Sequence, residues 1–140
     1  MGQKHQIREL MTDNPCAIDA EKPVSHAAKV MRDEDVGLAP IVEGERLVGT
    51  LTDRDIAIRV VAEGRDPEST TVREVASTEL VTIDPAQSLD EALRLMAQHQ
   101  VRRLPVVEED GRLVGVLAQA DVARHGDDSE TGQVVERISQ

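Results

Sequence analysis

Two stretches of the chain share one pattern, and this pattern decides the fold. Residues 29–42 read Lys-Val-Met-Arg-Asp-Glu-Asp-Val-Gly-Leu-Ala-Pro-Ile-Val, and residues 94–107 read Arg-Leu-Met-Ala-Gln-His-Gln-Val-Arg-Arg-Leu-Pro-Val-Val. Their shared Met, Val and Pro stand 65 residues apart. Further matches, 65 or 66 residues apart, are Ile18-Asp19 with Ile83-Asp84 and Arg46-Leu47-Val48-Gly49 with Arg112-Leu113-Val114-Gly115. Because these matches keep one order, the sequence indicates a tandem duplication.

Each copy is predicted to contain the same elements in the same order. A short helical turn and an extended piece precede an amphipathic helix, two apolar strands joined by an acidic turn, and a closing helix. The turn, the strands and the closing helix are residues 7–11, 40–42, 47–51 and 53–63 in the first copy, and residues 72–76, 105–107, 113–117 and about 119–125 in the second. Ser88 and Glu91 predict a capping box before the second amphipathic helix, where the first copy has Pro23.

The two copies define the predicted domain organisation. A first motif covers residues 1–62, a linker 63–71, a second motif 72–126, and a polar tail with a short predicted helix 127–140. One copy has too few short strands to bury both faces of its sheet. We therefore expect an α/β fold in which two β-α-β-β-α units pack sheet to sheet about a pseudo-twofold axis. The outer helices keep apolar residues that a second chain would cover, so we expect a homodimer.

The composition excludes several classes of function. The chain of 140 residues has 27 acidic and 16 basic side chains, a net charge of −11 and no aromatic residue. Nucleic-acid binding proteins usually present a basic surface or stacking rings, so we expect no nucleic-acid partner. No apolar run reaches the length of a membrane span and the start lacks a signal peptide. We therefore expect a cytoplasmic protein without a membrane partner.

Few side chains suit catalysis or metal binding. Cys16 is the single cysteine, and the four histidines show no ligand spacing with it or with one another, so we expect no metal site. The sequence has no supported Ser-His-Asp or Cys-His arrangement and no glycine-rich phosphate loop. It therefore predicts a protein that is not an enzyme and requires no cofactor.

The duplication, the order of elements and two motifs resemble a known family. The motifs are Gly49-Thr50-Leu51-Thr52-Asp53-Arg54-Asp55 and Val101-Arg102-Arg103-Leu104-Pro105-Val106-Val107. Together they resemble the cystathionine-β-synthase (CBS) domain, which occurs as tandem pairs called Bateman modules, and most of all its small mycobacterial hypoxic-response members. The resemblance spans residues 7–125. It implies a ligand, an adenosine nucleotide or S-adenosylmethionine, in the cleft between the two copies.

The resemblance also implies roles for residues of the first copy. The family segment Gly-x-x-Thr/Ser-x-x-Asp matches Gly49, Thr52 and Asp55. Asp55 would accept hydrogen bonds from ribose hydroxyls, and Thr52 would contact ribose or phosphate. A carboxylate suits a cis-diol, and a helix N-terminus suits phosphate. Thr52 and Asp55 are equally a capping arrangement that needs no ligand, and this alternative stays open.

The second copy departs from the family pattern. It keeps Asp121 but has Ala118 where the hydroxyl is expected, and it carries Arg102 and Arg103 before its first apolar strand. Since the halves of the expected fold face each other, we hypothesise that one of these arginines reaches phosphate held by the first copy. The alternative is that both arginines pair with surface carboxylates.

The sequence favours a regulatory module that binds AMP, ADP or ATP and whose change of shape an unidentified protein partner would read. Without aromatic rings, a bound base would lie between aliphatic side chains such as Ile18, Ile83 and Leu104. The candidate nucleotide-binding residues are Thr52, Asp55, Arg102, Arg103, Asp121, Ile18, Pro40, Thr82, Leu104 and Pro105. Ala118 and Gly37 favour the alternative, a ligand-free dimeric scaffold with degenerate clefts.

Overall fold

The structure, a computed structural model, describes residues 7–13 and 15–125. The chain forms two compact units. The central unit is Cys16–Leu80, and the terminal unit combines the described residues before Cys16 with those from Val81 to His125. Helices and strands are mixed in both units, which confirms the predicted α/β class. The helix predicted in the tail lies outside the described residues.

A three-stranded sheet forms the base of the central unit. Its strands are β1 (Ile18–Asp19), β2 (Leu38–Glu43) and β3 (Arg46–Thr52). β1 runs parallel to β2, which pairs antiparallel with β3 through a turn where Gly44 has a φ of 63°. Alternate residues of β3 are buried, because every second side chain of a strand faces the same side.

The first long helix, α2 (Val24–Glu34), packs on this sheet. It begins after Pro23, whose φ of −71° and missing N–H suit the position before the first turn, as the sequence predicts. It ends at Asp35 in the left-handed conformation, with a φ of 55°. Val24, Ala27 and Met31 stand at helical spacing, and all three side chains are buried in the core of the central unit.

The helix predicted after β3 is present, with a different second half. The sequence predicts a helix over residues 53–63, and the structure has α3 (Asp53–Ile56) followed directly by a π-helical segment, Ala57–Val61. Within that segment the backbone bonds span five residues, as the 2.9 Å bond from Ala62 N–H to Ala57 O shows. The 3.6-residue periodicity of the sequence does not distinguish this wider turn from an α-helix, so the sequence predicted the helix but not its π-helical part.

The helix α4 (Val72–Val75) completes the core of the central unit. Val72 and Val75 are buried together with Ile18, Met31 and Leu51. The first turn is stabilised by a carboxylate, because the Thr71 N–H and hydroxyl donate to Glu74 Oε2 at 2.8 and 3.0 Å. The helix at the start of the second sequence repeat therefore packs with the strands of the first repeat.

The terminal unit repeats the same plan. β4 (Arg103–Val107) pairs antiparallel with β5 (Leu113–Ala118), and Ile83 forms a parallel bridge with Val106 where the central unit has β1. The helices α5 (Leu89–His99) and α6 (Gln119–His125) complete the unit. Ser88 Oγ accepts the Glu91 N–H at 3.1 Å, but the Glu91 carboxylate pairs with Arg94. One half of the predicted capping box is therefore observed.

The short helix α1 (Ile7–Leu10) belongs to the terminal unit. Ile7 is fully buried in a core with Ile83, Met96 and Leu117. Beyond the helix, Thr12 exchanges two backbone hydrogen bonds with Val116, of 2.8 and 3.0 Å. The compact units divide the chain at residues 15/16 and 80/81, whereas the predicted motifs follow the repeat in the sequence. The leading helix of each repeat packs on the strands of the other.

Candidate functional site

Thr52 and Asp55 form a reciprocal capping box at the end of β3. Thr52 N–H donates to Asp55 Oδ2 at 2.9 Å, and Asp55 N–H donates to Thr52 Oγ1 at 3.0 Å. The capping arrangement that the sequence left as an alternative is therefore observed. It leaves hydrogen-bonding capacity unused, because the Thr52 hydroxyl still has a proton to donate and Asp55 Oδ1 keeps its lone pairs.

Arg59 places a positive charge on a second side of the Asp55 carboxylate. The Arg59 Nε lies 3.9 Å from Asp55 Oδ1, and only 17% of the Asp55 side chain is exposed. Arg59 comes from the π-helical segment and also donates from Nη1 to Val75 O at 3.0 Å. Sequence reasoning missed Arg59 because no motif marks it. The i, i+4 spacing from Asp55 was the signal that could have found it.

The equivalent place in the terminal unit lacks the hydroxyl. Asp121 keeps its carboxylate and pairs with Arg124 Nη2 at 3.0 Å, while Ala118 ends β5 in the position of Thr52. The backbone around it is conserved between the units, since Gln119 N–H donates to Arg102 O just as Asp53 N–H donates to Gly37 O. The difference between the units is therefore one of side chains.

The guanidinium groups of Arg102 and Arg103 are candidates for binding an anion. Arg102 is exposed and Arg103 half-buried. Within the described part of the chain, neither guanidinium forms an ion pair with a carboxylate, in contrast to Arg73, which binds Glu21 and Glu43 at 2.7 and 2.9 Å. The alternative that both arginines are neutralised by surface carboxylates is thus not observed among these residues.

The aliphatic candidates contribute mainly to the cores. Ile18 is 2% exposed in the core of the central unit, and Leu104 is fully buried in the core of the terminal unit. Pro40 and Pro105 are also buried, each on the first long strand of its unit, and Thr82 is half-buried just before Ile83. In this conformation Ile18 and Leu104 have almost no side-chain surface left for a base.

A surface cavity of about 570 Å³ lies in the terminal unit, and none of the candidate nucleotide-binding residues lines it. It opens beside Arg8, Asp84 and Glu109. Its lining holds four carboxylates and one guanidinium, so its potential disfavours a phosphate group.

The described residues offer few groups that could bind a metal ion or act as a nucleophile. Among residues 7–13 and 15–125, no cluster of three or more His, Cys, Asp or Glu side chains is placed to hold a metal ion. Burial and a hydrogen bond to Glu34 raise the pKa of the Cys16 thiol, which keeps it protonated and poorly nucleophilic at neutral pH. No helix in the described part of the chain is long and apolar enough to cross a membrane.

Comparison with known proteins identifies the class. The model of the CBS domain family matches residues 7–62 and again residues 72–128. The chain belongs to the CBS domain family, and its two matches form a tandem pair. This confirms the family that the two motifs indicated.

The relatives include two small bacterial proteins. YhcV of Bacillus subtilis, a CBS domain-containing protein, is 46% identical, with 84% of this chain and 82% of YhcV covered. Hypoxic response protein 1 of Mycobacterium tuberculosis is 39% identical, with 94% of this chain and 92% of the relative covered. The resemblance to hypoxic-response proteins is therefore confirmed as homology.

Solved structures agree with the fold. Hypoxic Response Protein I, crystallised with two coordinated zinc ions, is 40% identical with a TM-score of 0.80, covering 88% of this chain and all of that one. CBSX2, solved in complex with AMP, has a TM-score of 0.75 and covers 86% of this chain and 94% of its own. At 23% identity the second likeness shows the shared fold alone.

Proposed function

We propose that the protein is a non-enzymatic cytoplasmic regulatory module that binds an adenine nucleotide, AMP, ADP or ATP, through the Thr52 and Asp55 side chains. The observation that carries the proposal is the capping box itself. It fixes a hydroxyl and a carboxylate side by side at the end of β3, within the segment that matches the CBS family motif. The AMP complex of CBSX2 supports the choice of ligand class, since that protein has the same fold.

Capping and ligand binding are compatible at this place. Asp55 uses Oδ2 for the Thr52 N–H, which leaves Oδ1 to accept ribose hydroxyls. Thr52 accepts with its oxygen and can still donate its proton to a phosphate or ribose oxygen. The protein thus needs no rearrangement of this backbone to bind, and a fixed geometry lowers the entropy cost of binding.

The phosphate groups of the nucleotide require cations in a chain of net charge −11. Arg102 and Arg103 stay candidates for contact with phosphate, because among the described residues neither guanidinium pairs with a carboxylate. Asp121 would recognise ribose less well than Asp55, because Ala118 offers no hydroxyl beside it. We therefore expect one nucleotide to bind more tightly than any second one.

Calorimetric titration with AMP, ADP, ATP and S-adenosylmethionine tests the proposal. Thr52→Ala should weaken binding about tenfold, the loss of one good hydrogen bond to a charged group. Thr71→Ala is the matched control, since Thr71 precedes α4 and is hydrogen-bonded to an acidic residue three positions later, as Thr52 is. It should leave affinity unchanged. No response of the wild-type protein to any of the four compounds at millimolar concentration would reject nucleotide binding.

A ligand-free homodimeric scaffold is the second candidate. Ala118 favours it because it offers no hydroxyl to a ligand. Ile18 and Leu104 favour it because their side chains are buried in the cores and leave little surface for a base. The exposed Ile58 and Val61 of the π-helical segment, 45% and 71% accessible, offer apolar surface to a second copy. This scaffold would be favoured over the nucleotide module if analytical ultracentrifugation showed a dimer and the calorimetric titrations showed no binding.

A further inference from the structure

Arg59 joins the Asp55 carboxylate to the end of α4. Its Nε lies 3.9 Å from Asp55 Oδ1, and its Nη1 donates to Val75 O at 3.0 Å. Val75 is the last residue of α4, where backbone carbonyls have no partner within the helix. The guanidinium therefore satisfies this carbonyl while it faces the carboxylate.

The end of α4 is itself fixed to the strand that carries Thr52. Ser77 and Thr50 exchange two backbone hydrogen bonds, of 2.8 and 3.0 Å. Gly49 permits this approach, because a Cβ there would lie 3.0 Å from Ser77 O. The contacts form a closed ring within the central unit, from β3 through Asp55 and Arg59 to α4 and back to β3. Arg59 is anchored in this ring, so its guanidinium has a defined place relative to Asp55.

The terminal unit holds its carboxylate differently. The residue at the position of Arg59 is His125, 66 residues later. Asp121 pairs instead with Arg124, whose side chain is 69% exposed. The Asp121 contact is the shorter of the two, but its arginine lies on α6 together with Asp121, whereas Arg59 is also hydrogen-bonded to the end of α4. The two units thus differ in what anchors the arginine that faces the acidic residue of the motif.

We propose that Arg59 is the positioning residue that makes Asp55 selective for a ribose cis-diol. This rests on the proposed function. The Thr52 N–H fixes Oδ2 at 2.9 Å, and the Arg59 guanidinium, anchored on Val75 O, places a positive charge 3.9 Å from Oδ1 that favours one orientation of the carboxylate. A restrained carboxylate accepts two adjacent hydroxyls with less loss of entropy than a free one, whereas a sugar with a single hydroxyl gains little from the restraint.

Calorimetry with AMP and 2′-deoxy-AMP tests this role. In the wild-type protein AMP should bind about tenfold more tightly than 2′-deoxy-AMP, a difference of about 1.4 kcal/mol. Arg59→Ala should weaken AMP binding by about the same factor and leave 2′-deoxy-AMP binding within about twofold, so the selectivity disappears. Arg59→Lys should retain part of the preference for AMP over 2′-deoxy-AMP. Arg65→Ala is the control, because Arg65 pairs with Glu74 at 2.6 Å in the same unit.

The outcomes separate the two proposals. If the wild-type protein binds neither nucleotide, the proposed function fails and this inference fails with it. If Arg59→Ala weakens both nucleotides equally, Arg59 is structural only and the inference alone is overturned. Amide hydrogen exchange of the unliganded protein adds an independent readout, since the Thr52 N–H is bonded to Asp55 Oδ2. Its exchange should quicken in Arg59→Ala, and unchanged exchange would contradict the positioning role.

Discussion

Gly115 of β5 lies directly against Met11, so closely that a Cβ on Gly115 would stand 2.6 Å from Met11 Sδ. The same Cβ would lie 2.8 Å from the Thr12 carbonyl oxygen, a backbone atom that cannot rotate away. The chain that follows α1 therefore crosses β5 at a point where only glycine fits. This contact, together with buried Ile7, fixes α1 to the terminal unit.

Gly115→Ala should lower the free energy of unfolding by about 1–3 kcal/mol, because the added methyl group forces the α1 segment off the strand. Gly49→Ala is the control, in which the added methyl group meets a less severe clash. At Gly49 the Cβ would lie 3.0 Å from Ser77 O, so the same methyl should cost less. Urea denaturation of both variants measures the two losses. A Gly115→Ala protein as stable as the wild type would show that the approach of Met11 is not close in solution.

Substitutions in α1 and α4 should show that each of these helices packs on the strands of the other sequence repeat. Ile7→Ala removes a fully buried side chain from the core that contains Ile83 and Leu117, at a cost of about 2–4 kcal/mol. Hydrogen exchange should then quicken in residues 103–118, which lie in the other sequence repeat. Val72→Ala, the equivalent change in α4, should instead quicken exchange in residues 38–52.

The opposite pattern would contradict this packing. If Ile7→Ala loosened residues 38–52 and left residues 103–118 protected, α1 would pack with its own repeat. Mass spectrometry of exchanged peptides resolves the two ranges. The measurement should be made well below the unfolding midpoint, so that local openings are seen before global unfolding.

Acid sensitivity should depend on Glu74. Hydrogen bonds from the Thr71 N–H and hydroxyl, and then Arg65, hold the pKa of Glu74 below its ordinary value of 4.5. A carboxyl whose folded-state pKa is depressed stabilises the fold above its unfolded pKa and loses this contribution as pH falls through the folded pKa. The difference in melting temperature between the wild type and Glu74→Gln should therefore be largest near neutral pH and shrink below pH 4.5. Glu79→Gln is the control, and a constant difference for Glu74→Gln across the acid range would refute the prediction.

Local patterns predicted the elements well, but they did not predict which elements pack together. Pro23, Ser88 and the periodic apolar residues place α2 and α5, because capping and amphipathicity act within one helix. The packing of α1 and α4 on the strands of the other repeat could not be predicted in this way. The local sequence pattern around Ile7 and Val72 is the same whichever core these residues enter. The capping box of Thr52 and Asp55 was predictable from their three-residue spacing. The contact of Arg59 with Val75 joins residues 16 positions apart through a π-helical turn that no periodicity marks.

Ala118→Thr should restore to the terminal unit the hydroxyl that the central unit has at Thr52. The residue ends β5 immediately before α6, and Asp121 stands three positions later, so a threonine can accept the Asp121 N–H as Thr52 accepts that of Asp55. An added N-cap of this kind stabilises a protein by about 0.5–2 kcal/mol. We expect a higher melting temperature and, in calorimetry with AMP, tighter binding of a second nucleotide. Ala118→Val, similar in size but without a hydroxyl, should give neither effect. If the valine variant matched the threonine variant, packing alone would explain the gain and the missing hydroxyl would not be what distinguishes the two units.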